Sequence, residues 1–160
     1  MIILLSLYYL TMSKVWANPV WFFFHGMAEK VHEDFFLANK GACLNIVKTI
    51  CGALPCPMCR KAATKYMSNV GESDIPSKEH FKKMLFDFHN HVNKKLRKRQ
   101  FTRKELSIYK RLKFIRCTKL MCYQVRRFNR GRWRSPSAGG LNHFVDRVEV
   151  AVTKHKNYFI

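Results

Sequence analysis

Apolar side chains recur every three or four residues in four segments of the chain, a spacing that places them on one face of an α-helix. The predicted helices cover residues 16–37, 41–53, 56–70 and 78–97. The stripe of the fourth helix consists of Phe81, Leu85, Phe88, Val92 and Leu96. Residues 71–77 contain Gly, Ser, Asp and Pro and separate the third helix from the fourth. The pattern therefore predicts an all-α bundle of four helices.

Two weaker patterns follow the fourth helix. Residues 102–105, Thr-Arg-Lys-Glu, match a capping box and predict a short fifth helix that ends near residue 114. Residues 145–152 alternate enough to form a strand, although a single strand has no obvious partner. We expect residues 115–160 to form a basic C-terminal extension of the bundle.

The charge of the chain is large and unevenly distributed. The 160 residues carry a formal net charge of +20, and 48% of them are apolar, which is ample for the core of one small domain. The net charge is +1 over residues 1–59, +11 over 60–114 and +8 over 115–160. Such a surface attracts nucleic acid, anionic membranes or acidic proteins, and charge alone does not distinguish among them.

The C-terminal extension contains a dense basic run with interleaved aromatic residues. Its basic members are Arg126, Arg127, Arg130, Arg132 and Arg134, and its aromatic members are Tyr123, Phe128 and Trp133. Basic and aromatic side chains together can bind single-stranded nucleic acid. A run of charge is more often a solvated tail. We favour the tail and regard nucleic-acid binding as the less favoured interpretation.

The first ten residues are apolar except for Ser6. A membrane-spanning helix needs about 20 such residues, and the run lacks the basic start and cleavage site of a signal peptide. Residues 1–13 are predicted to be a hydrophobic extension, with association at a membrane interface as one hypothesis. A translation start at Met12 is the alternative.

A pair of cysteines separated by two residues, Cys56 and Cys59, precedes the third helix. Pro57 suits the first turn of a helix, where no backbone donor is needed. The helix N-terminus and the adjacent Arg60 and Lys61 create a positive field that favours thiolate, and hence reversible disulfide chemistry. Half of a zinc site fits the spacing as well, and the pair alone does not decide between the two.

The fourth helix carries the sequence Phe88-His89-Asn90-His91-Val92-Asn93. His89 and Asn93 lie one turn apart beside the apolar stripe, so they project together. Polar groups that flank a buried stripe need partners. Taken singly, each residue is most simply a surface side chain that is bonded to solvent, whereas the set together suggests a binding site.

Four further cysteines have less definite roles. Cys43 and Cys51 lie on the second predicted helix and are interpreted as inert small hydrophobic residues, with a structural or shuttle disulfide as the alternative. Cys117 and Cys122 are separated by four residues in the extension. They form either a shuttle dithiol or two unrelated thiols.

Three blocks of the sequence together resemble the Erv/ALR flavin-dependent sulfhydryl oxidases, especially the short forms of large cytoplasmic DNA viruses. The blocks are Trp16-x4-Trp21-x3-His25-x2-Ala28, then Leu54-Pro55-Cys56-Pro57-Met58-Cys59-Arg60, and then Phe88-His89-Asn90-His91-Val92-Asn93-Lys94-Lys95-Leu96. They occur in the order of the family and near its spacing. The resemblance covers residues 16 to about 101, so residues 14–114 are expected to form the oxidase domain.

The resemblance implies a bound FAD and assigns residues to it. Cys56 and Cys59 would be the catalytic pair. The expected FAD-binding residues are Trp16, Trp21, His25, Cys59, His89, Asn90, Val92, Asn93, Lys94 and Lys98; no metal ligand is expected. The family usually has Gly-Lys-Pro after the leucine of the third block, whereas this chain has Arg97-Lys98-Arg99, so it departs from the family pattern where the phosphate contacts are expected.

The resemblance also implies a reaction and partners. A dithiol protein, of thioredoxin-like type, would attack Cys56, Cys59 would pass two electrons to the flavin, and oxygen would accept them to give hydrogen peroxide. A homodimer that uses an apolar surface of the first helix is expected. If the protein is viral, host cytoplasm or virion is the expected location.

Two hypotheses from other classes remain open on the sequence. One is a zinc-containing nucleic-acid module that uses Cys56, Cys59, Cys117 and Cys122, although the gap between the pairs is long and the His-Asn block is then unexplained. The other is a basic adaptor that keeps the fold and has lost the activity. Flavin absorption, metal analysis and thiol-dependent oxygen consumption distinguish the three.

Overall fold

A computed structural model describes the backbone of residues 2–130 and 138–160, and the side chains of residues 15–128 and 141–160. Within these ranges the chain forms six α-helices. They are α1 (Ile2–Lys30), α2 (Glu33–Cys51), α3 (Pro57–Ser68), α4 (Lys78–Lys95), α5 (Phe114–Arg130) and α6 (Ala138–Lys154). Short 3-10 helices cover Glu72–Asp74, Arg103–Arg111 and Lys156–Tyr158. The predicted all-α fold is confirmed.

Helix α1 is the central element of the bundle. It packs against α4, against α5 and against the 3-10 helix Arg103–Arg111, while α2 packs against α3 and α4. The buried apolar side chains of α1 follow the helical period; they are Val20, Phe23, Phe24, Met27 and Ala28. Burying large side chains of this kind is worth about 1.5–3 kcal/mol each. The aromatic face of α1 therefore organises the core.

The predicted boundary of the first helix is wrong at both ends. Helix α1 begins at Ile2 instead of 16, so Pro19 lies inside it, and it ends at Lys30 instead of 37. The helix ends because the C-terminal residues bind the backbone there: Ile160 N donates to Lys30 O (3.0 Å), and His32 N donates to Tyr158 O (2.8 Å). Helix α2 then starts with Glu33 and Asp34, whose charges suit a helix N-terminus.

The C-terminal extension is not a solvated tail in its described part. Helix α5 buries Phe114, Thr118, Met121 and Cys122, at helical spacing, and packs on α1 and α6. The rings of Phe114 and Phe23 stack at 5.6 Å. Arg132, Trp133 and Arg134 of the predicted basic run lie outside the described residues. The prediction of a tail is therefore wrong for the two helices of the extension.

The strand predicted over residues 145–152 is also wrong. These residues belong to α6, whose buried positions are Leu141, Val145, Val148 and Val152. The steps of four, three and four are those of a helix. Val150 suggested a period of two, but its side chain is 65% exposed.

An ion-pair network connects the two helices of the extension. The guanidinium of Arg126 donates to Asp146 Oδ1 and to Glu149 Oε2, each at 2.6 Å. The thiol of Cys122, beneath them, lies 3.7 Å from the carbonyl oxygen of Val145. Since charge-assisted hydrogen bonds are stronger than neutral ones, and one guanidinium here binds two carboxylates, the network helps to fix α6 on α5.

No helix in the described part of the chain has the length and apolar character needed to cross a membrane. Met1 lies outside the described residues, and Met12 lies within α1. Association of residues 1–13 with a membrane interface stays a prediction.

The packing of α5 makes a prediction about stability. Met121 is fully buried in α5, whereas Tyr123 on the same helix is 56% exposed. We expect Met121→Ala to lower the free energy of unfolding by about 2–5 kcal/mol, because it leaves a cavity in the core. Tyr123→Ala should change it by less than about 0.5 kcal/mol. Urea unfolding followed by circular dichroism measures both, and equal midpoints would show that α5 is not part of the cooperative unit.

Candidate functional site

The cysteine pair forms a disulfide at the first turn of α3. The Cα atoms of Cys56 and Cys59 lie 5.2 Å apart. Cys56 is the N-cap residue, and its sulfur accepts a hydrogen bond from the backbone N–H of Cys59 at 3.2 Å. Pro57 occupies the first helical position, as the sequence predicts. The disulfide thus replaces the usual polar cap of the helix.

The disulfide lies at the protein surface and in a positive field. Met58, between the two cysteines, is 80% exposed. The guanidinium of Arg60 donates to the carbonyl oxygen of Leu54 (3.3 Å), which ties the turn before the disulfide to the turn after it. The helix N-terminus and this cation both stabilise a thiolate when the disulfide is reduced.

A cavity adjoins the inner side of the disulfide. It encloses about 560 Å³ of empty space, including its open mouth. Cys59 lies on its wall, whereas Cys56 does not. The lining is mainly aromatic and aliphatic; it consists of Trp16, Ala17, Val20, Trp21, Phe24, Cys51, Leu54, Cys59, Ala63, Phe88, Val92, Asn93, Leu96 and Lys98. The polar residues Asn93 and Lys98 come from the end of α4 and the loop that follows it.

The composition of this lining suits a dinucleotide with a planar ring system. Trp16, Trp21, Phe24 and Phe88 offer faces and edges for ring packing. Lys98 supplies a cation for a phosphate, and Asn93 supplies an amide donor and acceptor. The residues present therefore fit FAD.

A cluster of aromatic rings lies behind Trp21. His89 stacks on the Trp21 indole with ring centroids 3.9 Å apart and planes 8° apart. His25 Nε2 and His89 Nδ1 share a hydrogen bond of 3.0 Å. Phe101 stacks on both imidazoles, at 4.8 Å from His89 and 5.7 Å from His25, and Tyr109 stacks on His25 at 4.7 Å. The cluster fixes the orientation of Trp21 toward the cavity.

Burial keeps both imidazoles neutral. Desolvation, followed by the charge of His89, lowers the pKa of His25 from 6.5 to about 3. Desolvation is also the largest cause that lowers the pKa of His89 to about 4, with a smaller opposing effect of Glu105 and a further lowering by Lys98. At neutral pH one imidazole donates its N–H to the other.

Asn90 binds the loop after α4. Its Nδ2 donates to the carbonyl oxygen of Phe101 (2.8 Å), and its Oδ1 accepts the N–H of Phe101 (2.7 Å). The same loop contains Arg97, whose φ of 53° is in the left-handed region, and Lys98, whose N–H donates to Asn93 O at 2.8 Å. Asn90 therefore holds the loop that brings Lys98 to the cavity.

The structure brings together six of the ten residues predicted to contact FAD. On the cavity wall are Trp16, Trp21, Cys59, Val92, Asn93 and Lys98. His25 and His89 lie one layer behind, against Trp21. Asn90 is engaged by Phe101, and Lys94 is exposed and does not line the cavity. Contact of all ten with FAD stays a prediction.

The other cysteines are free thiols. Burial raises the pKa of Cys43 to about 11 and that of Cys51 to about 12, in agreement with their interpretation as small hydrophobic residues. Cys51 also lies on the cavity wall. Cys117 and Cys122 are not bonded to each other. Among the described residues, no three His, Cys, Asp or Glu side chains are grouped so that they could hold a metal ion.

Sequence reasoning missed Phe101 and Tyr109, which complete the aromatic cluster, and Leu54 and Ala63 of the cavity wall. Phe101 had one available signal, since it is an isolated aromatic residue directly after a basic loop. The confirmed capping box explains part of its placement: Thr102 N donates to Glu105 Oε2 at 2.7 Å and starts the next helix immediately after Phe101.

The fold and the site together define a helical redox protein with a surface disulfide beside an aromatic cavity. The sequence profile of the Erv1 / Alr family matches residues 18–113. The chain belongs to this family, as the three sequence blocks indicated. No solved structure matches the chain significantly.

Two curated proteins with similar sequences come from iridescent viruses. The FAD-linked sulfhydryl oxidase 096R of Invertebrate iridescent virus 3 is 30% identical over 95 residues, which are 57% of this chain and 62% of the relative. The FAD-linked sulfhydryl oxidase 347L of Invertebrate iridescent virus 6 is 33% identical over 92 residues, which are 52% of this chain and 81% of the relative. The matched region thus spans less than two thirds of 096R.

The buried histidines predict how stability depends on pH. Since the pKa of His25 is about 3 in the folded chain and near 6.5 when unfolded, the unfolded chain binds more protons between these values. The contribution of His25 to the free energy of unfolding is therefore fully present above about pH 6.5 and decreases as the pH drops. For His25 alone we expect a loss of about 2 kcal/mol between pH 7 and pH 5. Urea unfolding at several pH values measures this slope.

The control for this pH dependence is His143, which is exposed. His25→Phe should flatten the dependence of unfolding free energy on pH, whereas His143→Gln should leave it unchanged. An identical slope in wild type and His25→Phe would contradict the assignment.

The cavity distinguishes the two lysines predicted to contact FAD. Lys98 lines the cavity and Lys94 does not. We expect Lys98→Ala to weaken FAD binding about tenfold through loss of one charge-assisted contact, and Lys94→Ala to weaken it less than about twofold. Titration of the apoprotein with FAD, followed by flavin fluorescence, compares them. A larger effect of Lys94→Ala would place the phosphates elsewhere.

Proposed function

We propose that this chain is an FAD-linked thiol oxidase that forms disulfides in partner proteins and passes the electrons to oxygen, giving hydrogen peroxide. Family membership and the names of both viral relatives support this activity and FAD as the cofactor. One observation carries the proposal: the Cys56–Cys59 disulfide is at the surface, and Cys59 is on the wall of a cavity that suits a flavin.

The first step is thiol–disulfide exchange at Cys56. A thiolate of the partner attacks Cys56 Sγ, the Cys56–Cys59 bond breaks, and Cys59 leaves as a thiolate. The second thiol of the partner loses its proton and attacks the mixed disulfide, which releases an oxidised partner and Cys56 as a thiolate. The helix N-terminus and Arg60 stabilise the leaving thiolate of Cys59, which speeds the exchange.

The second step takes place at the cavity. When bound, FAD supplies an acceptor for the two electrons of the reduced cysteine pair and returns them to oxygen. Trp16 and Trp21 would hold the planar ring systems by stacking, and Lys98 would neutralise phosphate charge. The neutral His25–His89 pair keeps the Trp21 indole in position without adding a charge next to the cofactor.

The partners that we propose are more specific than the family match and the names of the relatives establish. A thioredoxin-like dithiol protein suits an exposed disulfide at a helix N-terminus, because its first thiol must reach Cys56 and its second thiol must then attack the partner's own sulfur in the mixed disulfide. The homodimer expected from the first helix has less support, since Val20, Phe23 and Phe24 are already buried inside one chain. The dimer and the location in host cytoplasm or virion stay predictions.

The alternatives have less support than the oxidase. The zinc hypothesis requires four cysteines, Cys56, Cys59, Cys117 and Cys122, on one ion. The first two form a disulfide, and Cys122 is buried against α6. The function of a silent adaptor would not require a disulfide beside an aromatic cavity. The absorption spectrum of the purified protein tests the proposal directly: a flavin band is expected, and a colourless protein that fails to bind added FAD would overturn it.

The activity depends on Cys59 in a way that a control thiol does not share. We expect Cys59→Ser to keep the flavin absorption and to lose at least about a hundredfold in oxygen uptake with dithiothreitol, because no internal disulfide can form. Cys117→Ser, which changes a free half-buried thiol outside the cavity, should retain uptake. Undiminished uptake in Cys59→Ser would show that electrons reach the flavin by another path.

A further inference from the structure

Two stretches of the chain have no negative charge. Residues 35–71 and 106–145 contain fifteen Lys and Arg side chains and no Asp or Glu. The first stretch supplies α3 and the second supplies α5. All ten acidic residues lie elsewhere in the sequence. This separation of charge in the sequence affects partner binding only if the two helices border the same functional surface.

Helix α3 begins at the disulfide, and α5 lies beside the turn that precedes it. The turn that leads into Cys56 shares a groove of about 310 Å³ of empty space with α5. On one side the groove is lined by Ala53, Leu54 and Pro55, and on the other by Gln124, Val125 and Phe128. Pro55 directly precedes Cys56 in the chain. The second half of α5, which lies beyond the family match at residue 113, therefore forms one bank of the disulfide site.

The exposed charged side chains on both banks are basic. Met58, Lys61 and Lys65 are exposed and lie three and four residues apart, so they share one face of α3. Arg127 is exposed on α5, next to Phe128 of the groove. Within the described part of the chain, Lys61, Lys65 and Arg127 make no ion pair.

The nearby acids of α6 do not offset this charge at the disulfide. Asp146 and Glu149 are both paired with Arg126, on the side of α5 that faces α6. The unpaired cations of the second bank therefore remain available to a partner. We use the name redox face for Met58, Lys61, Lys65 and Arg127.

We propose that the dithiol protein oxidised by this chain is acidic around its two cysteines and docks on the redox face. Met58, at 80% exposure between the two cysteines, would provide the apolar part of the contact, and the three exposed cations would provide its charge. The proposal rests on the proposed oxidase function and names its substrate class. The chemistry is the exchange already written, so no further oxidant is needed.

A basic surface of this kind changes the rate at which the chain associates with a charged partner. Complementary charge raises the rate of encounter by about 10- to 1,000-fold at low ionic strength and repels partners of the wrong sign. Acidic residues beside a dithiol also raise its thiol pKa and slow its intrinsic exchange. A net preference for an acidic substrate would therefore have to come from the enzyme surface.

The test compares two synthetic peptides with the same Cys-x-x-Cys core, one flanked by Glu and the other by Lys. The flavin-loaded full chain oxidises each, and each rate is divided by the rate of that peptide with a small neutral disulfide, which corrects for thiol pKa. We expect the Glu peptide to have a kcat/KM about tenfold higher at low salt. The preference should vanish in 1 M NaCl, where the Debye length is about 3 Å.

A pair of charge-matched variants locates the effect. Lys65→Glu with Arg127→Glu should remove the preference, with each rate expressed relative to dithiothreitol turnover by the same variant. Lys110→Glu with Lys154→Glu makes the same change in net charge near the other end of α1, where Lys30 Nζ binds Lys110 O, and should retain it. Equal peptide rates in wild type, or equal losses in both double variants, would overturn the proposal.

A binding measurement separates this proposal from the oxidase function. Fluorescence anisotropy with Cys→Ser versions of both peptides requires no turnover. Tighter binding of the Glu peptide, lost only in the Lys65→Glu/Arg127→Glu variant, supports the docking surface even if dithiothreitol is not oxidised. Failure of dithiothreitol oxidation alone counts against the function. Tighter binding of an oligouridine, lost in that same variant, would assign the face to nucleic acid and overturn the proposal.

Discussion

The first turn of α3 is the constraint on which the site depends. Within one turn the chain must place Cys56 where a partner reaches it and Cys59 where the cavity begins. The helix cap sets this geometry: Cys56 Sγ accepts the N–H of Cys59, and Arg60 holds Leu54 from the other side. Ala63, buried one turn after Cys59, anchors the helix to the core. A single helical turn therefore connects the sulfur that a partner would attack with the sulfur on the cavity wall.

Charge and burial are separated around this turn. The cavity side is aromatic, and its buried histidines are neutral because desolvation lowers their pKa. The solvent side carries unpaired lysines and arginines, which strengthen the positive field of the helix N-terminus. A thiolate is stabilised from outside, while the region next to the cofactor keeps a low dielectric. The two environments meet at the Cys59 sulfur.

The sequence predicts which segments form the helices of the bundle more accurately than it predicts where each helix begins and ends. Helices α3 and α4 agree with their periodicity within a few residues, because Phe81, Leu85 and Phe88 face a core made by the same domain. The end of α1 depends on backbone bonds to Tyr158 and Ile160, which no local pattern reveals. The cavity residues could be named only through the family resemblance. That Asn90 binds Phe101, a contact across eleven residues, needed the structure.

The sequence pattern favours a tail for residues 115–160 because the many charged residues make the helical spacing of the few apolar residues hard to recognise. In α5 basic residues are interspersed with the buried apolar ones, although Phe114, Met121 and Cys122 mark a regular stripe. In α6 the valines at 148, 150 and 152 suggest alternation, and the true stripe appears only when Leu141 is included. Helices of this kind are recognised by the spacing of their few apolar residues, whatever the excess of charge around them.

The antiparallel pairing of α1 with α5 has a consequence for synthesis on the ribosome. Phe23 meets Phe114 only after most of the chain has been made, because the two are separated by ninety-one positions in the sequence. Until then part of the aromatic face of α1 stays uncovered, and such exposed apolar surface promotes aggregation and chaperone binding. The nascent chain therefore acquires its complete aromatic core only after α5 has been made.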